Sequence, residues 1–76
     1  VNLYSVYDVK SGTYSNPFPA LTHGAALRIF ADAVNSPNTS LHMHPDDYYL
    51  YHLGSFDEEA GNFTNRDRPE RLSCAT

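Results

Sequence analysis

The chain of 76 residues holds a single cysteine, Cys74, so no internal disulfide can form. No apolar run approaches the length of about 18 residues that a membrane-spanning helix needs, so no spanning segment is expected. Positive charge is scarce. Five Lys and Arg stand against nine Asp and Glu, for a net charge of −4, which argues against strong non-specific binding to duplex DNA, because that binding rests on neutralised phosphates. Glycines are too sparse for a phosphate-cradling loop behind a strand; Gly12 and Gly24 stand alone. The start, Val1-Asn2-Leu3-Tyr4-Ser5, lacks the basic and apolar regions of a signal peptide, and a reducing cytoplasm is the expected compartment. Asn38-Thr39-Ser40 and Asn62-Phe63-Thr64 match the glycosylation pattern, which carries little weight without a secretory signal.

What is present describes a folded protein. Hydrophobic residues make up 41% and aromatics 13%, too apolar for a disordered chain. The length allows one domain, and a domain this small buries only about 60% of its unfolded surface. Its thin core needs help. With a disulfide excluded, self-association is the leading expectation and a metal the next.

Alternation marks the first strand, Leu3 to Ser11. Leu3, Ser5, Tyr7 and Val9 share one face; Tyr4, Val6, Asp8 and Lys10 share the other. Gly12 to Ala20 reads as a loop, because Ser15-Asn16-Pro17-Phe18-Pro19 combines turn formers with two prolines; Phe18 anchors it to the core. Thr22 to Val34 is the strongest helix. Thr22 caps it, and Ala25, Ala26, Ile29, Phe30, Ala33 and Val34 form one apolar stripe. Asn35-Ser36-Pro37-Asn38 ends it. Leu41 to Asp47 connects, with a short helical turn near Pro45. Tyr48 to Phe56 reads as the second strand, with Tyr49, Tyr51 and Leu53 on one face and Tyr48, Leu50 and His52 on the other. Asp57-Glu58-Glu59-Ala60-Gly61 is a hairpin connection, and Asn62 to Asn65 returns as a short third strand.

The expected fold is therefore α+β: a small antiparallel three-stranded sheet with one main helix packed on one face, in the order strand, helix, strand, strand. Residues 1–65 form the domain and 66–76 a polar C-terminal tail. One helix leaves the second sheet face uncovered and rich in Tyr, the natural surface for a partner or ligand.

Candidate chemistry is thin. His42 and His44, with Asp46, Asp47 and His52 close behind, offer donors for zinc. Their spacing resembles no closed site, and surface or capping roles fit them better, so no metal and no cofactor is assigned. Asp46-Asp47 and Glu58-Glu59 lie in polar turns without a cleft to separate their pKa values. No serine has a nucleophile setting, and nothing organises Cys74 as one. The chain is expected not to be an enzyme.

The aromatic surface is the leading candidate. Tyr4, Tyr7, Tyr48, Tyr49 and Tyr51 fall on the sheet, and exposed aromatics there can stack with unpaired bases. Lys10, Arg28, Arg66, Arg68 and Arg71 are the available phosphate contacts. The competing reading puts most of these tyrosines in the core or a homodimer seam, where Tyr is common.

The pieces Leu3-Tyr4-Ser5-Val6-Tyr7-Asp8-Val9-Lys10, Pro17-Phe18, Thr22-His23-Gly24-Ala25-Ala26-Leu27-Arg28-Ile29-Phe30-Ala31-Asp32-Ala33, His44-Pro45-Asp46-Asp47-Tyr48, Leu53-Gly54-Ser55-Phe56-Asp57 and Gly61-Asn62-Phe63 follow one another in an order and spacing that carries information. Their arrangement resembles the small nonstructural protein of gokushoviruses, the Microviridae with single-stranded DNA genomes. The resemblance implies a phage protein made in the host bacterial cytoplasm, absent from the capsid shell. It also implies DNA binding in the switch from duplex replication to production and packaging of single strands. It brings no catalytic residues. Lys10, Arg28 and Tyr49 or Tyr51 are the positions to which phosphate and base contacts extend on that basis, with Arg66 and Arg68 added from the local charge. The alternative is a homodimeric adaptor for a viral replication or capsid-assembly protein.

Overall fold

Tyr and Val at alternate positions favour a pleated, half-buried strand. In the computed structural model, which describes residues 1–76, the first strand, β1 (Asn2–Asp8), lies inside the sheet rather than at its edge. Two short strands share one side of it: β2 (Thr13–Tyr14) and β3 (Phe18–Ala20). On its other side runs β4 (Tyr48–Asp57), and beyond that the edge strand β5 (Asn62–Cys74). Every pairing is antiparallel, and the sheet curls into a half-barrel.

This corrects the expectation of a three-stranded sheet. Five strands hold 46% of the residues, and both additions come from segments that read as irregular. The stretch 12–20 contains β2 and β3. Gly12, at φ 69°, closes the tight turn after β1, and its amide donates to the Asp8 carbonyl at 2.8 Å. Pro19 pairs opposite Leu3 within β3. A proline lacks the ladder donor, but an edge position does not need one.

The second correction is larger. The third strand does not stop at Asn65; it continues through Cys74. Residues 66–74 show no apolar alternation because β5 is an edge strand, exposed from Asn62 to Arg71. Backbone pairing to β4 holds it there, with Arg71 opposite Tyr51 and Glu70 opposite His52. Arg66, Asp67, Arg68 and Pro69 fall where the register slips, between the His52–Glu70 and Gly54–Asn65 pairs. Charge, proline and an irregular ladder are the usual means of blunting an edge against aggregation. At Gly54 the two strands approach so closely that an added Cβ would collide with the Thr64 carbonyl.

The main helix forms as its pattern predicts. In α1 (His23–Val34) the Thr22 hydroxyl accepts a hydrogen bond from the Ala25 amide at 3.1 Å. Ala26 and Phe30 are buried against Tyr4 and Leu50 of the sheet and Ala20 of β3. Val6, Phe18, Val34, Leu41, Leu72 and Ala75 flank that cluster. Ala25 lies outside the core, and Ile29, 46% exposed, instead lines an open groove with Phe18, Leu41 and Tyr48. A second helical turn, α2 (Ser40–Met43), precedes a 3-10 turn at Pro45–Asp47, where Pro45 predicts one. Only seven residues are buried, so the core is as thin as the length implies.

Candidate functional site: the open tyrosine face

Neighbouring residues of a strand point to opposite faces, so β1 and β4 sort their tyrosines. Tyr4 faces the helix and is fully buried. It therefore belongs to the core and not, as the sequence suggested, to an aromatic surface. Tyr48 also turns toward the helix side, where it lines the groove with Ile29 and Phe30. The opposite face carries Tyr7, Tyr49 and Tyr51, and β2 adds Tyr14 opposite Tyr7.

These rings touch. Tyr7 and Tyr14 have centroids 4.7 Å apart, Tyr14 and Tyr51 5.5 Å, and Tyr7 and Tyr51 6.0 Å. The last two pairs meet edge to face, the favoured geometry for aromatic quadrupoles. Partial burial pushes the Tyr14 hydroxyl above the ordinary phenol range, and the nearby Tyr51 and Tyr7 add to the shift. Beside the trio, the Arg71 guanidinium lies 5.1 Å from the centre of the Tyr49 ring, a cation–π contact. Further along β1 and β4 the surface becomes aliphatic and aromatic: Val1, Leu3, Pro19, Phe56 and Phe63 line a shallow depression, and Phe63 is 66% exposed.

The positively charged candidates do not all gather here. Lys10 is exposed in the turn after β1, which the Tyr7 hydroxyl approaches near Gly12. Arg28 is exposed on α1, on the helix side of the sheet. Arg66 and Arg68 lie in the irregular part of β5, and Arg66 pairs with Glu70 at 3.7 Å. Arg71 is the basic residue the structure joins to the tyrosines. Sequence reading counted it among the available cations without singling it out, because its link to Tyr49 depends on the register of β5. Tyr14 was missed outright, since it fell in the presumed loop.

The histidines separate in the same way. His42 donates from Nδ1 to the Val34 carbonyl at 2.9 Å, capping the end of α1, while His44 is exposed between α2 and the 3-10 turn. His52 turns from both toward His23 of α1, with ring centroids 4.9 Å apart, and toward Glu70 of β5. Cys74 is free, and the Thr76 hydroxyl beside it lowers its pKa.

The architecture is an antiparallel half-barrel with its main helix on one side and a half-exposed tyrosine face on the other. The profile of the Phage ORF5 protein family matches residues 1–76, and this chain belongs to that family. It is 36% identical over 64 residues to Protein ORF5 of Chlamydia phage 1, a gokushovirus of the Microviridae, covering 79% of this chain and 67% of that relative. The resemblance to a small Microviridae phage protein is thereby shown. No solved structure matches the chain, and no helix is long and apolar enough to cross a membrane.

Proposed function

We propose that this protein is a non-enzymatic, nonstructural phage protein that binds single-stranded DNA on its open tyrosine face. It acts in the host bacterial cytoplasm, in genome replication or in the switch to single-strand production and packaging. The observation that carries this reading is the contiguous Tyr7–Tyr14–Tyr51 cluster beside Tyr49 and Arg71, on the sheet face that α1 leaves bare. Each base stacked on an aromatic ring contributes about 1–3 kcal/mol, and stacking tolerates any base. A chain of net charge −4 gains little from phosphate neutralisation, so stacking supplies most of the affinity, with Arg71 and Lys10 as local phosphate contacts. Arg28 faces away from this platform and has no part in it.

A second reading rests on the other end of the same face. The exposed Phe63, with Leu3, Pro19 and Phe56, suits a homodimer seam or an adaptor surface for a viral replication or capsid-assembly protein. Fluorescence anisotropy with a labelled single strand of about thirty nucleotides, long enough to span several stacked bases, separates the two. The DNA reading expects binding at roughly tens of micromolar in low salt, weakening as salt rises because condensed ions are released. No signal under those conditions overturns it. A concentration-dependent dimer in sedimentation equilibrium, lost in Phe63→Ser, then supports the second reading.

A further inference from the structure

His23, His52 and Glu70 bring one donor atom each to within 4.8 Å of one another. They come from three separate elements: the first turn of α1, the middle of β4 and the edge strand β5. We propose that these side chains form a binding site for a divalent transition ion, zinc by the chemistry of the donors, which clips the start of the helix and the outer strand to the centre of the sheet. This inference is independent of the DNA reading.

The argument starts at His52. Its Nε2 lies 2.9 Å from the Gly54 carbonyl. A carbonyl only accepts, so Nε2 carries a hydrogen, and in the neutral ring Nδ1 must carry the lone pair. That Nδ1 is buried and has no hydrogen-bond partner. What it faces is Glu70 Oε1, at 3.8 Å. Two acceptors are thus turned toward each other, which is stable only if a cation lies between them, either a proton on the ring or a metal ion. A proton needs these two groups alone. The presence of a third donor, His23, favours the metal.

The outer contacts also suit a metal. Ligating imidazoles commonly donate their second ring nitrogen to a backbone carbonyl, which fixes tautomer and orientation, and the His52–Gly54 bond does this. The His23 ring is joined at Nδ1 to the Tyr4 hydroxyl at 2.6 Å, and Tyr4 is itself fully buried in the core. Two imidazoles and one carboxylate are a known donor set for zinc, leaving a fourth position to water. Bonds of about 2.0–2.2 Å in tetrahedral geometry put donors about 3.4 Å apart, so a small inward movement of exposed His23 and Glu70 completes the site. Arg66, 3.7 Å from the same Glu70 oxygen, is the competing cation. A core this thin gains from such a clip, since an ion that binds only the folded chain stabilises it by mass action.

Isothermal titration of chelator-treated protein with zinc chloride at neutral pH tests the site. Expected are one zinc per chain with micromolar affinity and a melting temperature raised by roughly ten degrees or more at a hundredfold excess over Kd. Cobalt in place of zinc should give the visible bands of a tetrahedral ion. Glu70→Gln changes an exposed side chain, and His23→Gln keeps a polar group for Tyr4, so both should stay folded. Each should weaken binding by at least about tenfold, since even outer-contact changes cost that much, while His42→Gln leaves it unchanged. Absence of binding at about 100 μM zinc would overturn the proposal. Equal affinity in Glu70→Gln and His23→Gln overturns it too, because the ion would then be held elsewhere.

Discussion

The two faces of the sheet are built from the same residue type and do opposite things. On the helix side, Tyr4 is fully buried, its hydroxyl engaged by His23 and its ring packed between Phe18 and His52. On the other side, Tyr7, Tyr14 and Tyr51 touch chiefly one another, and Tyr14 remains 45% exposed. A tyrosine becomes core when an element lies over it and an apolar partner excludes water. Without that cover it keeps its contact area and hydroxyl available to something outside the chain. The difference separates residues that maintain the fold from residues free to serve a function.

Substitutions can break the comparison. The largest effect is expected from Phe30→Ala on the covered side, which removes the helix's main core side chain and should cost about 3–5 kcal/mol. With so few buried residues, the variant should not remain folded at room temperature; a cooperative melt near the parent's would show that Phe30 is not the central core contact. Tyr51→Ala on the open side should behave differently. It should lose about 1–3 kcal/mol of stability through its two edge-to-face pairs and still fold, while single-strand affinity falls by roughly five- to a hundredfold. A Tyr51→Ala chain that no longer folds would place Tyr51 with the core residues. Thr22→Ala removes the cap of α1 and should cost about 1 kcal/mol, read by denaturant titration, with DNA affinity unchanged.

The smallest effect sharpens the open side by pH. The Tyr14 hydroxyl has its pKa raised in the folded state, by partial burial first and by Tyr51 and Tyr7 next. The folded protein therefore holds that proton more tightly than the unfolded chain. The associated stability is fully present below the ordinary phenol pKa of about 10 and is lost as pH rises through the raised value. Tyr14→Phe should melt like the parent at neutral pH and lose less stability in that alkaline window. Identical alkaline profiles would mean that the Tyr14 environment contributes nothing.

Much of this architecture is legible in the chain. The helix is evident because its apolar stripe, its Thr22 cap and its Asn-Ser-Pro stop agree with one another. Alternation separates Tyr4 and Val6 from Tyr7 within β1, and Leu50 and His52 from Tyr49 and Tyr51 within β4, while the pairing of the two strands decides which of those faces coincide. Less accessible were β2 and β3, where the prolines argue against strand except at an edge, and the long run of β5. The same holds for Ile29, which fits the helix stripe but stands beside a groove that no neighbouring element fills.

The residue pattern was enough for the central strands, the helix and the alternation of faces within each strand, because side-chain periodicity acts locally and needs no partner to be read; that Tyr4 and Tyr48 lie under the helix while Tyr7, Tyr49 and Tyr51 do not came from the packing. Only the tertiary structure decided that the polar residues after Asn65 extend the sheet, that Arg71 lies over Tyr49, and that His52 meets His23 and Glu70 rather than His42 and His44. Those outcomes depend on backbone pairing and on register shifts between β4 and β5. Edge pairing is made by backbone amides and carbonyls that every residue except proline carries, so the side chains along β5 leave no pattern that announces it.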